Sequence, residues 1–161
     1  MDHQDIKWKW YDFSQLSIDM LYSLLKLRQD VFIVEQKSPY EDLDSMDQDA
    51  KRLIGTINNE MAAYLRLLPV DLCEKGYISF GRFVVKKSYR GFKLGHILMK
   101  NLFAYLEQNQ IKSLIKISAQ YYLVKFYSQY GFVTSGEFYI EDSIKHIAMI
   151  REHHETHIRN E

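Results

Sequence analysis

Apolar and polar residues alternate at the start of the chain. Ile6, Trp8 and Trp10 are set against Lys7 and Lys9, which predicts a first strand over residues 5–13. Ser17 is suited to cap a helix. Behind it Met20, Leu21, Leu24, Leu25, Leu27, Val31 and Phe32 recur at helical spacing, which predicts an amphipathic helix over 18–34. Pro39 and the acid-rich run Glu41 to Asp49 break the period and read as a loop. Strands are expected over 52–58 and 61–68 with Asn58-Asn59 as the turn, then a loop from Pro69 to Gly76 and a further strand from Tyr77 to Lys86. From Leu94 the spacing turns helical through Ile97, Leu98, Leu102, Tyr105 and Leu106. Leu114–Ser118 reads as a short strand and Tyr121–Gln129 as a short helix ended by Gly131. Residues 132–140 and 144–151 read as two late strands. The order β-α-β-β-β-α-β-α-β-β implies an α+β fold, a mixed sheet covered by helices.

No repeat, low-complexity tract or long linker interrupts the 161 residues, so one domain is expected over 1–161, with a core of about 5–152 and a polar tail over 153–161. Apolar residues make up 47% and charged residues 26%, which is the composition of a globular chain rather than a disordered one. Basic and acidic side chains balance at 21 each, which argues against nucleic acid as partner. No apolar run approaches membrane-spanning length, and the first residues lack the apolar core of a signal peptide. Cys73 is the only cysteine, so no internal disulfide forms, and the cytoplasm is the expected compartment. A homodimer stays open.

The segment Phe83-Val84-Val85-Lys86-Lys87-Ser88-Tyr89-Arg90-Gly91-Phe92-Lys93-Leu94-Gly95-His96 runs from strand through a basic loop into a helix. The first amides of a helix lack intrahelical acceptors and carry partial positive charge, so a pyrophosphate placed there takes several hydrogen bonds at once. Gly91 and Gly95 remove side chains where ligand or backbone comes close, and Arg90 and Lys93 add charge. A basic turn leading into a surface helix is the plainer alternative, and it stays open on these residues alone.

Arg90-Gly91-Phe92-Lys93-Leu94-Gly95 resembles the R-x-x-G-x-G/A motif of GNAT acetyltransferases, whose loop amides grip the CoA pyrophosphate. Lys93 stands where that motif has its middle glycine, and a side chain there restricts the backbone. Arg28 through Asp44, including Val31, Phe32, Glu35, Gln36, Pro39 and Glu41, resembles the N-terminal signature of the ElaA-like branch of this family. Arg66 to Pro69, Gly81-Arg82, Ala119-Gln120 and Tyr139 to Ile147 match the same branch in order. Ser38 and Ser143 stand where the branch usually has cysteine and glycine. The resemblance implies a GNAT fold with acetyl-CoA held between two splayed central strands and an amine as acceptor. It implies no metal.

Ser118 through Phe132, which includes Gln120 and ends in Phe126-Tyr127-x-x-x-Gly131-Phe132, resembles the family's second CoA-side motif. The resemblance places Tyr127 near the thioester sulfur, where a phenol can protonate the departing thiolate. A packed core tyrosine is the alternative. The strand amides of Arg82, Phe83, Val84 and Val85 correspond to those that pair with the pantetheine arm and polarise the thioester carbonyl. A base must take the proton of the amine, and Glu35, Glu41, Asp44, Glu141, Asp142 and His146 are candidates, with Glu41 and His146 put forward beside Tyr127 as catalytic. Each has a structural alternative: Arg28 and Arg66 would pair with these acids in a structural network, or bind an anionic group of the acceptor. His153-His154-Glu155-Thr156-His157 lacks the H-E-x-x-H spacing of helical zinc sites and reads as a solvated terminus, and Cys73 has no partner motif.

Two other functions remain. Arg28, Val31, Phe32, Glu41 and Asp44 also resemble the pattern of acyl-homoserine-lactone synthases, which share the fold but use S-adenosylmethionine. The CoA-type turn at 90–95 argues against that reading. A CoA-binding module without turnover would have its cleft filled by side chains.

Overall fold

The computed structural model describes residues 6–152. Strand β1 (Ile6–Asp12) leads to helix α1 (Ile18–Arg28), whose Ser17 side chain caps the Met20 amide. The expected helix over 18–34 does not stay α-helical. It widens into a π-helical segment, Gln29–Glu35, in which Gln36 N bonds Val31 O, five residues back, at 3.0 Å. Apolar spacing does not separate the two helix types over so short a stretch, because Val31 and Phe32 are buried either way.

Strands β2 (Lys51–Ile57) and β3 (Glu60–Leu68) form a hairpin, closed by Asn58 and Asn59 in left-handed conformation at φ 49° and 63°. Strand β4 (Tyr77–Val85) follows, then helix α2 (Leu94–Gln108), strand β5 (Leu114–Gln120), the short helix α3 (Val124–Ser128), and strands β6 (Val133–Glu141) and β7 (Ile144–Arg151). Strand β5 runs two residues past its expected end, because Ala119 still packs inward. The helix expected over 121–129 splits into a 3-10 turn and α3. The seven strands form one mixed sheet in the order β1-β2-β3-β4-β5-β7-β6. Strand β6 lies at its edge and is exposed along its length.

Alternate residues of β3 serve two cores. Ala63, Leu65 and Leu67 face Leu98, Met99 and Leu102 of α2, while Tyr64 packs on the other face with Leu24, Leu27 and Phe32. At Gly55 an added Cβ would fall 2.6 Å from the Trp8 ring, so glycine there lets the indole cross the sheet.

The site is set by the two central strands. Strands β4 and β5 are parallel but pair only at Tyr77–Leu114 and Ile78–Ile115. Beyond those pairs they separate. A bulge opposite Leu65 adds to the distortion of β4, with Arg82 at φ 50°.

Candidate active site

A cleft of about 690 Å³ opens where β4 leaves β5. One wall is β4 from Ser79 to Val85, and the other is Ile117, Ser118 and Gln120 of β5. Its ends are closed by the π-helical segment and acid-rich loop, by Tyr122 to Tyr127, and by the β6–β7 hairpin.

Glu41, Phe83, Val84, Val85, Arg90, Gln120, Tyr127 and His146, all named from the sequence, line this cleft. Gly91, Phe92, Lys93, Leu94, Gly95, His96 and Phe126 do not. They form the turn before α2 and its support. Arg90 N donates to Lys87 O and His96 N to Lys93 O, and among the described residues the amides of Gly91 through Gly95 between them have no acceptor. Gly91 at φ 88° and Lys93 at φ 59° curl the backbone so that free N–H groups gather in a concave turn, a geometry suited to an anion. Lys93 therefore adopts the left-handed conformation that glycine takes without cost. The Leu94 side chain is buried in the core, so only its amide faces the turn. The space above Gly95 meets the rings of Phe83 and Phe126 at 3.5–3.6 Å, and His96 Nδ1 is hydrogen-bonded to the Tyr130 hydroxyl.

The guanidinium of Arg90 grips Glu35 with 2.5 Å and 3.1 Å contacts while its Nε donates to Val85 O. This pair holds the Glu35 carboxyl below its usual range, chiefly through the Arg90 hydrogen bond. One residue on, Gln36 and Gln120 exchange side-chain amide hydrogen bonds of 3.1 Å and 3.3 Å. The end of the π-helical segment thus touches both walls.

The acid-rich loop is pinned rather than solvated. Fully buried Arg28 donates to Asp42 at 2.8 Å and Asp47 at 2.7 Å. Arg66 takes Asp44 at 2.6 Å and 2.7 Å and reaches Asp47 at 3.1 Å. Arg82 contacts Asp42 at 2.7 Å and Asp44 at 3.3 Å. Burial alone would raise the Asp44 carboxyl, but the Arg66 hydrogen bonds and charge outweigh it and hold the group at about 2. Asp44 is therefore a structural anion, and of the two roles open to Arg28 and Arg66 the structural network is the one formed.

The remaining acids lie by the hairpin. His146 is 8% exposed, and its Nδ1 donates to Ile144 O at 2.8 Å. Its Nε2 stands 3.6 Å from Glu141, too far for a direct hydrogen bond. Glu141 accepts from Ser118 at 3.0 Å, and Ser118 shares a 2.5 Å hydrogen bond with Tyr139. The Asp142 carbonyl accepts from buried Ser38, which ties the hairpin to the chain after the π-helical segment. Ser143, at φ 66°, occupies a left-handed turn position that favours glycine. Ser118 and Tyr139 were not singled out for chemistry from the sequence. The available signal was their strand alternation with Gln120 and Glu141.

Tyr127 is 5% exposed, boxed by the rings of Phe80, Phe83, Phe126 and Phe132 at 5.2–6.2 Å. Burial pushes its phenol well above the usual tyrosine range. Among the described residues its hydroxyl, at the cleft, makes no hydrogen bond. No group of His, Cys, Asp and Glu suited to a metal occurs among the described residues, and the histidines at 153–157 lie outside them.

The splayed sheet, the concave turn before α2 and the cleft between them suit an acyltransferase, and the chain belongs to the GNAT acetyltransferase family, whose domain model matches residues 19–153. It is 38% identical to Protein ElaA of Escherichia coli over 149 residues, 91% of this chain and 97% of that one. An acyl-CoA N-acyltransferase from Pseudomonas aeruginosa is 38% identical and superposes with a TM-score of 0.85, covering 91% of this chain and 99% of its own. The acyl-homoserine-lactone synthase LasI superposes at 0.75 with 16% identity over 92% of this chain and 90% of its own, a likeness of fold alone.

Proposed function

We propose that the chain, as a single domain, transfers the acetyl group of acetyl-CoA to a primary amine by direct attack in a ternary complex. The observation that carries this reading is the pairing of the open β4–β5 cleft with the free amides of Gly91 through Gly95 at its end. The pyrophosphate fits the turn, with Arg90 and Lys93 beside it. The pantetheine arm runs along Phe83, Val84 and Val85 as an added strand, and Gln120 and Phe126 complete its surroundings. The 38%-identical acyl-CoA N-acyltransferase supports an acyl-CoA donor.

The amine gives a proton to His146 Nε2, whose ring is oriented by the Nδ1 hydrogen bond to Ile144 O and flanked by Glu141. Its nitrogen then bonds the thioester carbon, and strand amides at the β4 bulge receive the developing charge on oxygen. The C–S bond breaks, the thiolate takes the proton of the Tyr127 hydroxyl, and the extra proton still on the new amide nitrogen passes through water to the Tyr127 phenolate, which restores the phenol. Burial keeps that phenol protonated near neutral pH, which suits a general acid. Orientation of thioester and amine supplies most of the rate. A cleft not filled by side chains favours turnover over a purely CoA-binding module.

The test is a melting curve with and without CoA, followed by acetyl-CoA-dependent thiol release over a panel of amines. Native-state binding raises the melting temperature by mass action. No shift at millimolar CoA ends this reading.

A further inference from the structure

The charges that line the cleft fall into two groups. Among the described residues, Arg66, Arg82 and Arg90 are the cationic side chains on its walls apart from His146, and no lysine lines it. All three are committed. Arg66 and Arg82 hold Asp42, Asp44 and Asp47, and Arg90 holds Glu35. Glu41, Glu141 and Asp142 line the same cleft, and among the described residues none of the three is paired with lysine or arginine. Glu41 makes no hydrogen bond or ion pair there at all. The Ser38–Asp142 hydrogen bond ties the chain just before Glu41 to the hairpin that carries Glu141 and Asp142, so these carboxylates share one end of the cleft.

Among the described residues, two that line the cleft, Tyr127 (5% exposed) and His146 (8% exposed), carry a side-chain polar atom without a hydrogen-bond partner, the Tyr127 hydroxyl and His146 Nε2. Neither atom is fully enclosed by protein, so each is open to a ligand or water that satisfies it from the cleft. A carboxylate- or phosphate-bearing acceptor would find no free cation here and would be repelled by the unpaired acids. A simple monoamine would leave at least one carboxylate unmatched once its own nitrogen loses its proton to react. A linear molecule with a second ammonium matches both requirements.

Resting on the acetyltransferase reading, we propose that the acceptor is a linear diamine or polyamine, with a distal ammonium held by Glu41 while the reacting nitrogen lies at Glu141 and His146. Glu41 is then a specificity-determining residue. It has no part in the bond-making step.

The test titrates the full chain, loaded with CoA, with spermidine, 1-aminobutane and glutamate by calorimetry. Spermidine binds at least about tenfold more tightly than 1-aminobutane, the equivalent of one matched ionic contact. Glutamate gives no binding heat. Glu41→Gln, a change on an exposed loop side chain, weakens spermidine about tenfold and leaves 1-aminobutane within about twofold. Equal affinity for spermidine and 1-aminobutane, an unchanged spermidine affinity in Glu41→Gln, or preferred binding of glutamate overturns the proposal. A CoA melting shift accompanied by any of those results sinks the acceptor assignment alone. Absence of the CoA shift itself sinks the acetyltransferase reading, and the acceptor assignment with it.

Discussion

Arg90 and Glu35 close a two-pronged ion pair between the turn that starts α2 and the end of the π-helical segment, with contacts of 2.5 Å and 3.1 Å. Both side chains are more than a third solvent-exposed, so the pair contributes less than about 1 kcal/mol to stability. Its importance is competitive, since the same guanidinium is wanted by phosphate. Glu35→Gln should leave the melting temperature almost unchanged and raise CoA affinity about threefold, roughly 0.6 kcal/mol. A fall in affinity would mean that Glu35 positions Arg90 rather than competes for it.

Tyr127→Phe removes a hydroxyl that none of the described residues satisfies, so the variant should fold with wild-type stability and bind CoA as before. Turnover at saturating acetyl-CoA should fall by roughly 10²-fold if proton transfer to sulfur limits the rate. Wild-type turnover in the variant would reduce Tyr127 to a packing residue.

Asp44 gives the protein an acid limit. Its carboxyl titrates at about 2 in the folded protein and at about 3.9 in an unfolded chain. Between those values the unfolded state binds more protons. The stabilisation is complete above the unfolded value and is lost as pH falls through the folded one. It amounts to about 2 kcal/mol at neutral pH. Asp44→Asn leaves buried Arg66 with only its 3.1 Å carboxylate contact to Asp47 and should cost roughly 3 kcal/mol at pH 7. It should also flatten the acid limb of the stability profile measured by urea unfolding. An acid limb identical to wild type would assign the loss to other carboxylates.

Gly91 and Gly95 should respond differently to the same small change. Gly91 sits at φ 88° with nothing near its missing Cβ, so Gly91→Ala strains the backbone by about 1 kcal/mol and spoils the concave turn. A Cβ at Gly95 meets two rings at ordinary contact distance, so Gly95→Ala is tolerated and Gly95→Leu displaces Phe83 and Phe126. CoA affinity should follow the order wild type, Gly95→Ala, Gly91→Ala, and Gly95→Leu should also bind weakly. Equal CoA affinity in all four folded proteins would place the phosphate cradle elsewhere.

Much of the fold was legible because each element carries a local signal. The Ser17 cap, the Asn58-Asn59 turn and the helical spacing from Leu94 all depend on neighbours a few residues away. The turn at 90–95 was legible for the same reason. The arginine–aspartate lattice was not, because it joins α1, β3 and β4 to one irregular loop, and such partners have no spacing in common. The sequence therefore left Asp44 among the candidate bases, where only its partners could remove it. Glu35 and Gln120 likewise acquire partners, Arg90 and Gln36, through folding alone. The Ser118–Glu141 contact needed the registry of β5, β7 and β6, which alternation within one strand does not give.

The two-residue seam between β4 and β5 has a consequence for self-association. A row of unsatisfied backbone donors and acceptors is sticky, and on the outer rim of a sheet it recruits other copies of the same chain. Here two such rows face each other in the middle of the sheet, with α1 and α2 on opposite faces. Another folded copy is too thick to reach them, while a slender amide-bearing arm is not. On the proposed reading the seam would serve the pantetheine arm while staying out of reach of a second copy's sheet edge.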